Sequence, residues 1–144
     1  MHISDTADWI VFIGRILFSL FFLTAGFNHL RNAKALGQYA AYKKVPLPVA
    51  STVGTGILLV AAALGVILGV YIDLAFILLV VFLVPTSFIM HNYWTLDDPT
   101  ARQGDQINFN KNLTLAFASI VLFAVFASVG GAFGFQLTDP LFSI

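Results

Sequence analysis

Residues 71–90 read "YIDLAFILLVVFLVPTSFIM", and residues 91–99 read "HNYWTLDDP". A run whose only charged side chain is Asp73 gives way at once to a polar, turn-forming stretch. A helix rises about 1.5 Å per residue, so the first of these stretches is long enough to cross a hydrocarbon core of roughly 30 Å. The second marks where the chain leaves the membrane. Its histidine, paired aromatics and paired carboxylates raise the question of whether it also builds a site.

The same reading applies outward along the chain. Apolar spans are expected near residues 7–30, 47–70, 71–94 and 109–132. Hydrophobic residues make up 59% of the sequence and charged residues 10%, whereas an ordinary soluble domain carries about 25% charged residues. A soluble fold of this size lacks the polar residues to cover itself, so the bilayer is the solvent that suits it. Backbone groups in lipid must be satisfied within a helix or in a closed barrel, and the period-two alternation of barrel strands is absent. The expected fold is all-α: a single integral membrane four-helix bundle covering residues 1–144. The formal net charge of zero leaves no basic field for nucleic acid. The absence of cysteine excludes disulfides and thiolate-held iron–sulfur clusters. The N-terminal "MHISDTAD" is acidic, and the apolar run after it exceeds a signal-peptide core, so the first span is expected to stay as a membrane anchor.

Connections differ in kind. "LGVYID", residues 68–73, joins the second and third spans in a tight antiparallel hairpin. "RNAKALGQYAAYKKVPLP", residues 31–48, ends in Pro46 and Pro48, which stop a helix. Within it, residues 34–44 place Leu36, Tyr39 and Ala40 on one face, as an interfacial helix would; Gly37 disfavours a helix, and an irregular loop is the alternative. Residues 95–108 contain the turn signals Asp97-Asp98-Pro99 and Gly104-Asp105, with Asn108 as the expected cap of the fourth helix. Gly65 and Gly69 form a GxxxG pattern beside Ala61, Ala62 and Ala63, which points to close packing within the bundle rather than to a dimer.

Arg31, Lys34, Lys43, Lys44, Arg102 and Lys111 all fall at the first and third connections, and no Lys or Arg falls in the tails or the second connection. The positive-inside rule predicts those connections in the cytoplasm and both termini on the non-cytoplasmic side. Trp9, Tyr71, Tyr39, Tyr42, Tyr93 and Trp94 then form interfacial belts, which need no further function.

Candidate chemistry lies at two depths. Arg15 sits inside the first span, where a guanidinium must snorkel, find a partner or line a cavity. Asp73 is a candidate partner, and a structural salt bridge or a snorkelling arginine is the plainest reading; an anion or quinone-oxygen contact is the functional alternative. The second set gathers Asn28-His29, His91 through Trp94, and Asn110-Lys111-Asn112 at one boundary, where water-facing interfacial residues are the plainest reading. Three functional readings compete with it. A quinone headgroup suits His91 or His29 as proton donor, Trp94 for stacking and Asn112 for hydrogen bonding. A haem between His29 and His91 is the weaker reading, because it needs both rings at one depth. A divalent metal on His91, Asp97, Asp98 and Asp105 needs the loop to fold back, and no metal site is expected. Pro85 interrupts the third span and frees a carbonyl, with Thr86 and Ser87 near it.

At these residues the sequence resembles the DoxX family of small four-helix membrane proteins. The match lies in "GRILFSLFFLTAGFNHL" (residues 14–30), "YKKVPLP" (42–48) and "HNYWTLDDPTARQGDQINFNKNLTLAFASI" (91–120), and so spans most of the chain. The resemblance implies a four-helix bundle in a bacterial plasma membrane, with Arg15, His91, Trp94, Lys111 and Asn112 as the family pattern. It also implies quinone-linked redox chemistry or an oxidative-stress role, alone or as the subunit of an oxidoreductase. A non-catalytic adaptor docking soluble redox or stress proteins on the basic connections is the alternative. Ala116, Ala118 and Val45 stand where relatives often carry glycine, which concerns packing and the subfamily.

Overall fold

The computed structural model of the protein describes residues 4–144. Residues 1–3, the start of the tail expected on the non-cytoplasmic side, lie outside the described residues. Ser4 opens α1 (Asp5–Arg31), its Oγ accepting a hydrogen bond from the Ala7 amide at 3.4 Å. Asp5 and Asp8 lie in the first turn and His29 and Arg31 in the last, the arrangement the helix dipole favours. After a one-residue break at Asn32 the chain forms α2 (Ala33–Tyr42). Its Gly37, the residue that disfavoured a helix in the sequence, packs directly on the next one. A Cβ at Gly37 would lie 2.7 Å from Val49 Cγ2.

Helix α3 (Pro48–Leu68) starts with proline at the first helical position and ends at Gly69, whose φ is 74°. Proline lacks an amide the first turn has no use for, and glycine takes the left-handed cap without penalty. The chain turns sharply into α4 (Ile72–Met90). Gly65 and Gly69 serve this hairpin. A Cβ on Gly65 would lie 3.1 Å from the Val70 carbonyl oxygen and 3.2 Å from Ala75 Cβ. Within α4, Pro85 removes the amide that would bond Val81, and Ser87 Oγ donates instead to its own upstream carbonyl, Leu83, at 2.7 Å.

The largest departure from the sequence reading is at the last helix. Residues 95–108 are not a loop: after a 3₁₀ turn at Tyr93–Thr95, α5 runs unbroken from Pro99 to Val129. Asp98, not Asn108, is its cap, with Oδ2 accepting from the Ala101 amide at 2.8 Å. Asp-Pro is a turn signal and equally the cap and first residue of a helix, and the second meaning holds here. Gly104-Asp105 therefore lies inside a helix.

Helices α1 and α3 form one closely packed pair, α4 and α5 another, and α3 meets α4 between them; α2 packs on α3. The buried centre comprises residues such as Phe22, Leu59, Val66, Phe76, Leu79 and Phe126. Large apolar residues also point outward in mid-helix: Leu17 is 65% exposed and Val121 63%. A helix apolar on all sides requires an apolar solvent. Among the described residues, four helices are long and apolar enough to supply the membrane spans.

Glycine sets the α1–α3 distance. A Cβ on Gly26 would stand 3.0 Å from both the Gly56 carbonyl oxygen and the Val60 amide nitrogen, which are backbone atoms and yield little. Gly26→Ala is expected to cost about 1–3 kcal/mol through overpacking. It should lower the temperature at which the detergent-solubilised protein leaves its monodisperse chromatographic peak. Gly14, where a Cβ would meet nothing within 4 Å, is the control: Gly14→Ala is expected to be neutral or slightly stabilising.

Candidate functional site

Two polar clusters occupy opposite ends of the bundle. The basic end holds the α1–α2 break, the α2–α3 loop, the end of α4 and the start of α5; the terminal end holds the start of α1, the α3–α4 hairpin and the C-terminal segment.

At the basic end, α2 crosses from α1 toward α4 and α5. Tyr39 OH donates to the Met90 carbonyl at 3.3 Å, and Lys43 Nζ donates to Asn92 Oδ1 at 2.6 Å. Lys43 also faces Asp105 Oδ2 at 3.8 Å and lies over the rings of Tyr39 and Tyr42. The other oxygen of Asp105 pairs with His91 Nδ1 at 3.2 Å. An ionised carboxylate only accepts hydrogen bonds, so Nδ1 carries the proton and Nε2 is left for another partner. One aspartate thus orients the His91 imidazole and ties α5 to the end of α2.

Beside this dyad is an aromatic group. Trp94 packs against Phe88, Tyr93 and Phe109 with centroids 5.3–6.3 Å apart, and Trp94 remains 48% exposed. His29 is engaged elsewhere: its Nδ1 lies 2.9 Å from Thr55 Oγ1 and its ring meets the Phe82 ring edge-on. Thr55 Oγ1 also lies within donating distance of the Ser51 and Thr52 carbonyls, so its hydroxyl sits between the His29 ring and the α3 backbone. No ring contact joins His29 and His91 among the described residues. Asn28 Oδ1 accepts from Asn32 Nδ2 at 2.7 Å in an exposed position. Lys111 donates to Asn108 Oδ1 at 3.0 Å and lies over the Phe21 ring, while Asn112 is buried. Asp98 is committed to the α5 cap. Among the described residues no group of three or more His, Cys, Asp or Glu gathers as metal ligands would.

At the terminal end, Arg15 and Asp73 are each buried, and they do not pair with one another. Arg15 Nε donates to the Val66 carbonyl at 2.7 Å and Nη2 to Ile67 at 2.9 Å. Both carbonyls belong to the last turn of α3, where intrahelical donors run out. Nη1 reaches the Phe135 carbonyl at 3.0 Å. Asp73 accepts the amides of Leu141 and Phe142 at 3.0 and 2.6 Å, and Asp8 accepts the Gly134 amide at 2.7 Å. Gly69 O accepts the amides of Leu137 and Thr138. Residues 133–144 therefore form a strap across this end, stitched to α1, the hairpin and α4. The candidate Arg15–Asp73 pairing is not formed, because each ion finds backbone partners, the strap among them. The spans alone gave no sign of that segment's role.

Sequence reasoning gave little weight to Asp105 and none to Lys43 or Thr55 as site residues. A signal for Asp105 was present. With α5 begun at Pro99, Asp105, Phe109, Asn112, Ala116 and Ser119 fall on one face at helical spacing, and the last three are buried.

Four apolar helical spans closed at each end by polar ties define a multi-pass integral membrane protein. The DoxX family model matches residues 10–92, more than half of the chain, and the chain belongs to that family. It is also similar to Inner membrane protein YphA of Escherichia coli (strain K12), 27% identical over 113 residues that cover 78% of this chain and 80% of that protein. No solved structure is a significant match. The family match takes in Arg15, Asn28, His29 and His91, and ends before Trp94, Asp105, Lys111 and Asn112.

Proposed function

We propose that this chain is a quinone-interacting component of a redox or oxidative-stress system in a bacterial plasma membrane. Its basic end faces the cytoplasm and both termini lie on the other side, in keeping with the positive-inside rule. The observation that carries the reading is the His91–Asp105 pair, 3.2 Å apart, beside exposed aromatic rings at a membrane exit. Reducing a quinone adds a pair of electrons and a pair of protons. The electrons come from an associated donor protein, and the protons from water through His91. Asp105 holds Nδ1, so Nε2 of the doubly protonated ring gives a proton to a quinone oxygen, and Nε2 of the neutral ring takes one from a quinol. Trp94 and its neighbours supply ring faces for an offset stack. Arg15 has no part in this chemistry and anchors the opposite end.

Photolabelling of native membranes with an azidoquinone, read alongside quinone-dependent electron transfer, tests the proposal. His91→Asn is expected to keep labelling while slowing turnover by at least about 100-fold, the lower range for loss of a general acid. Trp94→Ala is expected to weaken labelling by about three- to ten-fold, as loss of one ring contact would. Labelling that is absent from the wild type, or turnover unchanged in His91→Asn, overturns the reading.

A further inference from the structure

The underside formed by α2 and the loop after it has a charge pattern that the His91 cluster does not use. Between Asp8 and Asp73 the sequence contains no Asp or Glu, yet it carries Arg15, Arg31, Lys34, Lys43 and Lys44. Arg15 is bonded at the opposite end, and Lys43 is bonded to Asn92. Arg31, Lys34 and Lys44 are exposed, and among the described residues none has a hydrogen-bonding or ionic partner for its side chain. On the α4–α5 side, by contrast, Arg102 has Asp97 and Asp98 nearby in sequence. With Asp105 and Lys111 included, that side carries three acidic and two basic residues, so the excess positive charge of the basic end lies on the α1–α2 side.

Topology accounts for the sign of these charges but not for the loop beside them. Lys44 and Leu47 both have left-handed backbone, with φ of 60° and 46°, although neither is glycine. Leu47, between Pro46 and Pro48, is 77% exposed, and Tyr42 at the end of α2 is 72% exposed. A backbone held in this unfavourable region presents an aliphatic and an aromatic side chain next to free cations, at the level where a span begins. Cations next to apolar anchors match the boundary between lipid headgroups and acyl chains.

We propose that this surface binds anionic phospholipid: Arg31, Lys34 and Lys44 contact the headgroup phosphates, while Leu47 and Tyr42 sit in the boundary region. An acidic soluble protein is the competing occupant. It would match the charges equally well, but it gives no reason for Leu47 to stand out between two prolines where the chain enters the bilayer.

The test places the purified full chain in nanodiscs of mixed phosphatidylcholine and phosphatidylglycerol and measures the lipid retained after detergent extraction. Phosphatidylglycerol is expected to be enriched over its bulk share and the enrichment to fall in high salt. Neutralising each of the three cations to Gln should lower retention by about five-fold, equivalent to about 1 kcal/mol per charge. Arg102→Gln should leave it unchanged. Inorganic phosphate in detergent solution should not compete, which separates a lipid site from a free-anion site. Because losing basic residues can disturb insertion, Leu47→Ser provides a charge-neutral check and should also lower retention. Equal retention of both lipids by the wild type, or enrichment indifferent to all three cations and to Leu47, overturns the proposal. So does a photoreactive residue at position 34 that crosslinks in native membranes to a protein and not to lipid.

Discussion

Arg15→Met is expected to be the most damaging single change in the molecule. It removes three hydrogen bonds from a cation and leaves the carbonyls of Val66, Ile67 and Phe135 without their donor. Hydrogen bonds to charged groups contribute about 1.5–3 kcal/mol each, and a buried polar group left unpaired costs about 1–3 kcal/mol. Some of these carbonyls will find water or other donors, so a total of about 4 kcal/mol is a reasonable expectation. At about 2–4 °C per kcal/mol for a chain of this order of size, the apparent melting temperature in detergent should fall by roughly 10 °C or more. Arg15→Lys separates charge from geometry. A single ammonium cannot span three carbonyls as the planar guanidinium does, so most of the loss should persist. A Lys variant as stable as the wild type would show that charge alone matters.

The second large effect is expected at Asp73, whose carboxylate is fully buried and accepts two consecutive amides of the strap. Asp73→Asn preserves the shape but puts an NH2 group where one oxygen stood, so that a donor faces a donor. The loss should be about 2–3 kcal/mol and should be local. Limited proteolysis is the sharper readout: sites within residues 133–144 should be cut far faster in Asp73→Asn, while the spans stay protected. Unchanged cleavage of the strap would mean that Asp8, Arg15 and Gly69 hold it without Asp73. The two experiments report on one structure from different sides, and the double variant should lose less than the sum, because both residues bind the same segment.

The spans were legible in the sequence because lipid imposes its requirement on composition as well as on pattern. "YIDLAFILLVVFLV" has no other solvent in which it is stable, and "LGVY" between two such runs leaves room only for a hairpin. Position along the chain was less informative wherever one residue pair had two meanings. Asp98-Pro99 reads as a turn and also as a helix start, and choosing the turn hid the inward face that carries Asp105. The candidate site was partly legible for the same reason. His91 and Trp94 stand at an evident membrane exit, but the partner that orients His91 lies 14 residues on, in a stretch that polarity alone assigns to a loop. Arg15 was recognisable as a buried cation needing partners. Their identity was not, because backbone carbonyls carry no signature in a sequence, and the Phe135 carbonyl lies 120 residues away.

That last separation has a consequence for how the protein is made. Asp8 and Arg15 leave the ribosome 126 and 120 positions before their strap partners Gly134 and Phe135. At about 5–20 residues per second, both ions wait of the order of ten seconds, through insertion of the remaining spans, before their last partners exist. This end of the bundle can close only after the strap has been made. A product truncated before Gly134 keeps every span but leaves Asp73 without the Leu141 and Phe142 amides and Arg15 without the Phe135 carbonyl, so that a carboxylate buried in the full structure lies open at the end of the bundle.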